Sequence, residues 1–192
     1  YETTLGQTLD THVKTHVFQA KTRRYDSALD AALSGPNIPT AVYQKLIEAT
    51  HRHLPSLHRY FRLRQQMLGL DDLHYYDIYP PLVASQRTFD IAESKALMRA
   101  SAAPLGDHYL ELLEKGFTGT WMHVYPQQGK APGAYMYGDV YDVHPFLLLN
   151  HNGQFNDVST FTHEWGHAIH TMLAQEHHPY ETAGYATFTA EI

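Results

Sequence analysis

Cysteine is absent from this 192-residue sequence, which excludes disulfide bridges and thiolate metal ligands and fits a cytoplasmic location. Long apolar runs are absent as well: the longest, residues 146–149, is far shorter than the roughly 18 residues that span a bilayer. Positive charge is scarce, with 14 Lys and Arg against 20 Asp and Glu and a net charge of −6. Because nucleic acids and anionic membrane surfaces attract basic proteins, we expect neither as a partner.

The pattern of apolar residues predicts a mainly α-helical protein. Its hydrophobic content of 43% is typical of a globular chain that buries one sizeable core or parts of two lobes. Helices are predicted over residues 3–33, 40–68, 85–101 and 104–115. Pro55 is expected to kink or split the second of these. The helix breakers are residues 37–40, Gly69 and Gly116.

A small β-sheet is predicted after the helices, where Gly, Tyr and Val become frequent. Three short runs are typical of strands: residues 121–125, 134–137 and 145–150. Residues 127–133 resemble a surface loop between two of them. We therefore expect a helical region, residues 1–117, followed by a sheet with a long helix beside it in residues 118–192. Both regions are predicted to be parts of one domain.

The most informative motif is His163-Glu164-Trp165-Gly166-His167. Residues four apart share one face of a helix, so both histidines can offer an imidazole nitrogen to one metal ion. Glu164 lies about 100° around the helix from His163, where its carboxylate can act as a base rather than a ligand. This H-E-x-x-H arrangement is typical of zinc proteases. The alternative is a helix with two surface histidines.

The residues around the motif favour a helix whose other face is buried. Asn156 and Asp157 can cap its start, and residues 158–175 contain no proline. Apolar residues recur at three- and four-residue spacing and would face a core: Phe161, Trp165, Ala168, Ile169, Met172 and Leu173. His170, one turn after His167, is expected to support the site or simply to lie at the surface.

A zinc ion with two histidine ligands needs a third protein ligand and keeps one position for water. The acidic residues after His167 are Glu176, Glu181 and Glu191. Glu176 would lie about 13 Å along the same helix, which is too far. Glu181 follows a turn-like stretch. Glu191 lies on a second predicted helix and is our choice, although an ordinary surface glutamate is the alternative.

Several stretches of this sequence resemble the oligoendopeptidase F branch of the thimet-oligopeptidase family of zinc metallopeptidases. They lie throughout the chain, at residues 54–60, 68–70, 76–79, 115–117, 132–135, 145–150, 152–153, 156–158, 163–170 and 188–191. The resemblance implies a zincin-type helical metallopeptidase with Zn²⁺ bound by His163, His167 and Glu191, and with Glu164 as general base. In that family, a His and Tyr residues that stabilise the oxyanion come later in the chain. We therefore expect further polypeptide beyond Ile192, and residues 1–192 alone to be inactive.

The predicted function is zinc-dependent endopeptidase cleavage of short, unfolded oligopeptides, a substrate class that the resemblance implies. Gly133, Ala134 and Tyr135 are candidate substrate-binding residues, because a strand edge can pair with an extended peptide. A tight turn with core-packing tyrosines is equally compatible with this run. Two other functions are considered: a catalytically inactive homologue that binds peptides or partners, and a different zinc hydrolase on a helical scaffold.

Overall fold

The chain divides into two compact units, residues 1–84 and 85–192. The computed structural model describes residues 1–83 and 87–191. In the first unit these residues form helices α1 (Glu2–Thr22), α2 (Ala28–Ser34) and α3 (Thr40–Leu68), followed by a 3-10 turn at Tyr75–Ile78. None of the described helices is both long enough and apolar enough to cross a bilayer.

The first predicted helix, residues 3–33, is wrong as a single element, because the chain breaks between α1 and α2. Arg24 adopts a left-handed φ of 62°, which ends regular helical geometry. Ser27 then starts α2 as its N-cap, and its hydroxyl accepts the backbone N–H of Asp30 at 3.0 Å. The N-cap residue Ser27 therefore determines where α2 begins, although the apolar pattern continues through the break.

Helix α3 covers the predicted range 40–68. It runs through Pro55 as one helix, so the predicted split does not occur. Gly69 ends it with a φ of 65°, as expected for a glycine after the last helical turn. In this helix Arg64 is buried, and its guanidinium donates to the carbonyl oxygens of Asp77 (2.8 Å) and Pro80.

The second unit contains a three-stranded sheet, whose strands come after two helices and before two others in the sequence. Helices α4 (Ile91–Ala102) and α5 (Asp107–Thr118) come first, joined by a 3-10 turn at Ala103–Leu105. They are followed by β1 (Met122–His123), β2 (Tyr135–Tyr137), β3 (Phe146–Leu148), α6 (Phe155–His177) and α7 (Thr187–Ala190). Residues 85 and 86 of the predicted helix 85–101 lie outside the described residues. The three predicted strands are present, although each is shorter than expected.

Strand β3 is the middle of the sheet, in the order β1-β3-β2. It pairs in parallel with β1 and antiparallel with β2, with Met136 opposite Leu147. Strand β2 is therefore an edge strand among the described residues, and it packs against α6. The prediction of a mainly helical fold with a small sheet beside the motif helix is confirmed.

The core of the second unit forms around the apolar face of α6. Phe161, Trp165, Ala168 and Ile169 are completely buried, as their spacing predicted. Burial of a large apolar side chain contributes about 1.5–3 kcal/mol to the stability of the fold, so this face stabilises the packing of α6. The breaker predicted at Gly116 is wrong: this residue lies inside α5, where an added Cβ would come within 2.3 Å of the Trp165 ring. Here glycine permits close packing of α5 against α6.

Candidate metal centre

Helix α6 brings the two motif histidines together on its accessible face. The Nε2 atoms of His163 and His167 are 2.9 Å apart, and their rings are nearly perpendicular. The start of the helix is capped by Asp157, whose carboxylate accepts the backbone N–H groups of Gln154 (2.8 Å) and Asn152 (2.9 Å). Asp157 is thus a capping residue, as predicted, although the helix begins at Phe155 and its N-cap is Gln154.

Glu191 lies opposite the histidine pair. Its carboxylate oxygens are each 3.5 Å from an imidazole, Oε2 from His163 Nε2 and Oε1 from His167 Nε2. The predicted second helix is only four residues long, Thr187–Ala190, and Glu191 is the residue that ends it rather than part of it. Glu176 and Glu181, the other two acidic candidates, do not belong to this group.

The chemistry and spacing of these donors fit one metal ion. A ligand atom from each of His163, His167 and Glu191 lies within 4.8 Å of the others, and this is the one such group found among residues 1–83 and 87–191. Two ligand atoms about 2.1 Å from an ion, at a tetrahedral angle, are about 3.4 Å apart. The two 3.5 Å separations agree with this value. The 2.9 Å separation of the two imidazole nitrogens would have to widen slightly for both to bind one ion.

Glu164 is buried beside this group of donors, next to strand β2. Its residue is 7% exposed, and its carboxylate accepts a hydrogen bond from the backbone N–H of Met136. Burial raises the pKa of the Glu164 carboxyl above its ordinary value, and the neighbouring His163 and His167 partly oppose that shift. A carboxyl group with a raised pKa takes up and releases a proton more readily near neutral pH.

These residues line one cleft of about 350 Å³ between α6, α7 and β2, which we call the metal cleft. Of the three predicted substrate-binding residues, Ala134 and Tyr135 line it and Gly133 does not. The carbonyl oxygen of Gly133 instead accepts the side-chain amide of Asn150 at 2.8 Å. The run therefore contributes its last two residues to the cleft, and its first residue to the loop that supports it.

Tyr185 is a cleft residue that the sequence analysis missed. Its ring stacks on His170 with centroids 3.8 Å apart, and its hydroxyl is 2.6 Å from Thr171 Oγ1. His170 thus supports the wall of the cleft through Tyr185. Met136 was missed as well, and no side-chain pattern could reveal it, because it contributes a backbone N–H. A tyrosine just before a short helix likewise has no distinguishing sequence signal.

Comparison with known proteins shows the family to which this chain belongs. The model of Peptidase family M3 matches residues 1–192. Oligopeptidase PepF of Bacillus subtilis is 40% identical over 195 residues, which cover 100% of this chain and 29% of that protein. The chromosomal oligoendopeptidase F of Lactococcus lactis subsp. cremoris is 41% identical over 189 residues, covering 98% of this chain and 31% of that protein. The chain thus spans about a third of the length of these relatives.

Solved structures agree with this result. A Chlamydophila abortus protein, provisionally identified as a peptidase, superposes with a TM-score of 0.79 at 39% identity, covering 98% of this chain and 32% of its own. PZ peptidase A, with a TM-score of 0.71 but 18% identity, shares the fold over 91% of this chain and 32% of its own. The resemblance found in the sequence is confirmed, and the chain belongs to Peptidase family M3.

Proposed function

We propose that this chain carries the active site of a zinc-dependent endopeptidase that cleaves short, unfolded oligopeptides. The observation that supports it most is the convergence of four side chains in one cleft. Three of them, His163, His167 and Glu191, offer metal-ligating atoms within 4.8 Å of one another. The fourth, Glu164, lines the same cleft with a raised carboxyl pKa. Two imidazoles and a carboxylate form a ligand set that zinc hydrolases use, with one position left for water.

The mechanism assigns a separate role to each side chain. His163, His167 and Glu191 would hold the zinc ion. When bound, zinc polarises the scissile carbonyl and lowers the pKa of water to about 7. Glu164 accepts the proton of the attacking water and then passes it to the nitrogen of the leaving amine. The hydrogen bond from the backbone N–H of Met136 would orient this carboxylate at the cleft wall.

Substrate binding is assigned to the edge of β2 that faces away from β3. This strand pairs with β3 on one side only among the described residues, and its first residue Tyr135 lines the metal cleft together with Ala134. An extended peptide can pair with such an edge through its main chain, which tolerates many side chains. The preference for short peptides rests on the family resemblance and on relatives named oligopeptidases.

A catalytically inactive homologue that binds peptides is the second candidate. The buried Glu164 argues against it, because a binding protein does not need a carboxyl group for proton transfer beside three metal-ligating residues. That residues 1–192 alone are inactive stays a prediction, as does their assignment to a single catalytic domain.

The test is metal content and peptide cleavage by the full-length protein that contains this chain. We expect one zinc per chain, chelator-sensitive cleavage of an internally quenched peptide, and recovery when zinc is added back. Glu164→Gln should keep the zinc and lose about 100- to 10,000-fold in turnover, which is the usual contribution of a general base. Zinc binding without any cleavage by the wild type would favour the inactive homologue.

A further inference from the structure

Charge is distributed unevenly along this chain. All 14 Lys and Arg lie in the first 130 residues, together with 13 Asp and Glu. The remaining residues, 131–192, contain seven Asp and Glu and no Lys or Arg. These residues include β2, α6 and α7, which form the metal cleft. Even with a divalent ion bound, this segment therefore carries a net negative charge, which attracts positive groups.

A second cavity, of about 490 Å³, adjoins the metal cleft. The two share Met136 and Tyr185 as lining residues, so the cavity lies next to the cleft in which a peptide would bind. Its walls carry four tyrosines and two carboxylates, and we call it the tyrosine cavity: Tyr137, Tyr141, Tyr180, Tyr185, Asp139 and Glu181.

The walls of the tyrosine cavity are held in place by contacts within the second unit. Tyr141 packs edge-on against Tyr180, with ring centroids 5.8 Å apart, and its hydroxyl donates to the carbonyl oxygen of His178 at 2.8 Å. The side-chain amide of Gln175 donates to the carbonyl oxygens of Gly138 (3.3 Å) and Val140 (3.4 Å). The loop after β2 is thus held both by α6 and by the segment that follows α6.

The two carboxylates of the cavity lack partners inside this part of the protein. Neither Asp139 nor Glu181 has a hydrogen bond or an ion pair with any residue in 1–83 or 87–191. By contrast, Asp157 and Glu164 are both held by backbone N–H groups. Unpaired carboxylates beside tyrosine rings offer a cation both a counter-charge and aromatic faces.

The lining favours an organic cation over a metal ion. No second group of three metal-ligating side chains exists among the described residues, and the cavity is much larger than an ion coordinated directly. Lys and Arg side chains carry a positive charge on a long apolar stem, which matches tyrosine walls with carboxylates. We propose that the tyrosine cavity receives a Lys or Arg side chain of the peptide being cleaved, an inference that rests on the proposed function.

The experiment compares peptides that differ at one position, which is Lys in one and its uncharged analogue norleucine in the other. Full-length protein containing this chain is assayed with such pairs, one pair for each position around the scissile bond. At one position we expect kcat/KM to be at least about fivefold higher for Lys, as a cation beside aromatic rings and carboxylates implies. The preference should shrink as salt is added, because salt screens exposed charges.

Substitutions then locate the effect in the cavity. The double variant Asp139→Asn/Glu181→Gln should lower kcat/KM for the Lys peptide by about tenfold and change the norleucine peptide by less than about twofold. The control is Asp142→Asn, which removes one negative charge from a nearby residue outside the cavity lining and should leave the ratio of the two peptides unchanged.

Equal cleavage of the Lys and norleucine peptides by the wild type would overturn the inference, and so would equal losses for both peptides in the double variant. A change of the Lys-to-norleucine ratio in Asp142→Asn as large as that in the double variant would overturn it as well. These results differ from failure of the proposed function, in which the wild type would cleave neither peptide. The wild-type ratio needs no variant, so the inference can be tested even if the double variant does not fold.

Discussion

The backbone N–H of Met136 donates a hydrogen bond to the carboxylate of Glu164, which connects the edge strand β2 to the motif helix α6. Strand β2 is also the strand to which we assign substrate binding. The group proposed as general base is therefore positioned by the same strand that would align the scissile bond. The two neighbours of Glu164 in sequence face elsewhere: His163 belongs to the proposed group of metal ligands, and Trp165 belongs to the buried core.

The hydrogen bond from Met136 predicts different stabilities for two substitutions of Glu164. In Glu164→Gln the side-chain carbonyl can still accept the Met136 N–H, whereas in Glu164→Ala that N–H loses its partner. We expect Glu164→Ala to have a free energy of unfolding about 1–3 kcal/mol lower than Glu164→Gln, because a polar group is left unsatisfied. Denaturant unfolding of the two variants measures the difference. Equal stabilities would show that the hydrogen bond contributes nothing.

The metal-ligand assignment predicts losses of zinc affinity for particular variants. His163→Ala, His167→Ala and Glu191→Ala should each weaken zinc binding at least as much as the loss of an outer-shell partner does, about 10- to 100-fold. His177→Ala, on the same helix but outside the group, is the matched control and should bind zinc like the wild type. Competition with a chromophoric chelator measures the affinities. Unchanged affinity in Glu191→Ala would remove Glu191 from the ligand set.

Two glycines on neighbouring helices should respond in opposite directions to alanine. At Gly116 the new Cβ would lie 2.3 Å from the Trp165 ring, so Gly116→Ala should lower the free energy of unfolding by at least about 1 kcal/mol. At Gly166 a Cβ meets no atom within 4 Å, and Gly166→Ala should raise it by up to about 1 kcal/mol through helix propensity. Thermal unfolding measures both. A stabilising Gly116→Ala would contradict the packing described for α5 and α6.

The ion pair between Arg99 and Glu114 should make stability depend on pH. The hydrogen bond from Arg99, opposed by burial, holds the pKa of the Glu114 carboxyl below its ordinary value of 4.5. A lower pKa in the folded state means that the pair stabilises the protein above about pH 4.5, and that this contribution is lost as the pH falls through the folded-state pKa.

Both side chains of this pair are substantially exposed, so we expect Glu114→Gln to lower the free energy of unfolding by only about 0.2–1 kcal/mol at pH 7. The difference between wild type and variant should shrink as the pH falls below about 4.5, and it should also shrink in high salt. Urea unfolding at pH 7 and at pH 3 is the measurement. A difference that persists unchanged at pH 3 would show that the side chain acts through packing rather than charge.

Local sequence patterns predicted the motif helix well. The apolar spacing of Phe161, Trp165 and Ile169 predicted the buried face, because residues three and four apart share one side of a helix. The same rule placed His163 and His167 together. Local patterns were less reliable where a single residue decides the outcome. The left-handed Arg24 interrupted an apolar pattern that continued through the break, and Gly116 has a packing role that only its contact with Trp165 explains.

By itself, the sequence determined the family, the type of fold, the helix carrying the histidine pair and the choice of Glu191 as a candidate ligand, because these depend on the order of residues along one segment. Only the tertiary structure decided which groups meet across segments. It brings Glu191 to 3.5 Å from both imidazoles, Met136 to Glu164, and Asp139 and Glu181 into one tyrosine-lined cavity. Such contacts arise from the packing of β2 and the last segment against α6, which no periodicity within a single element encodes.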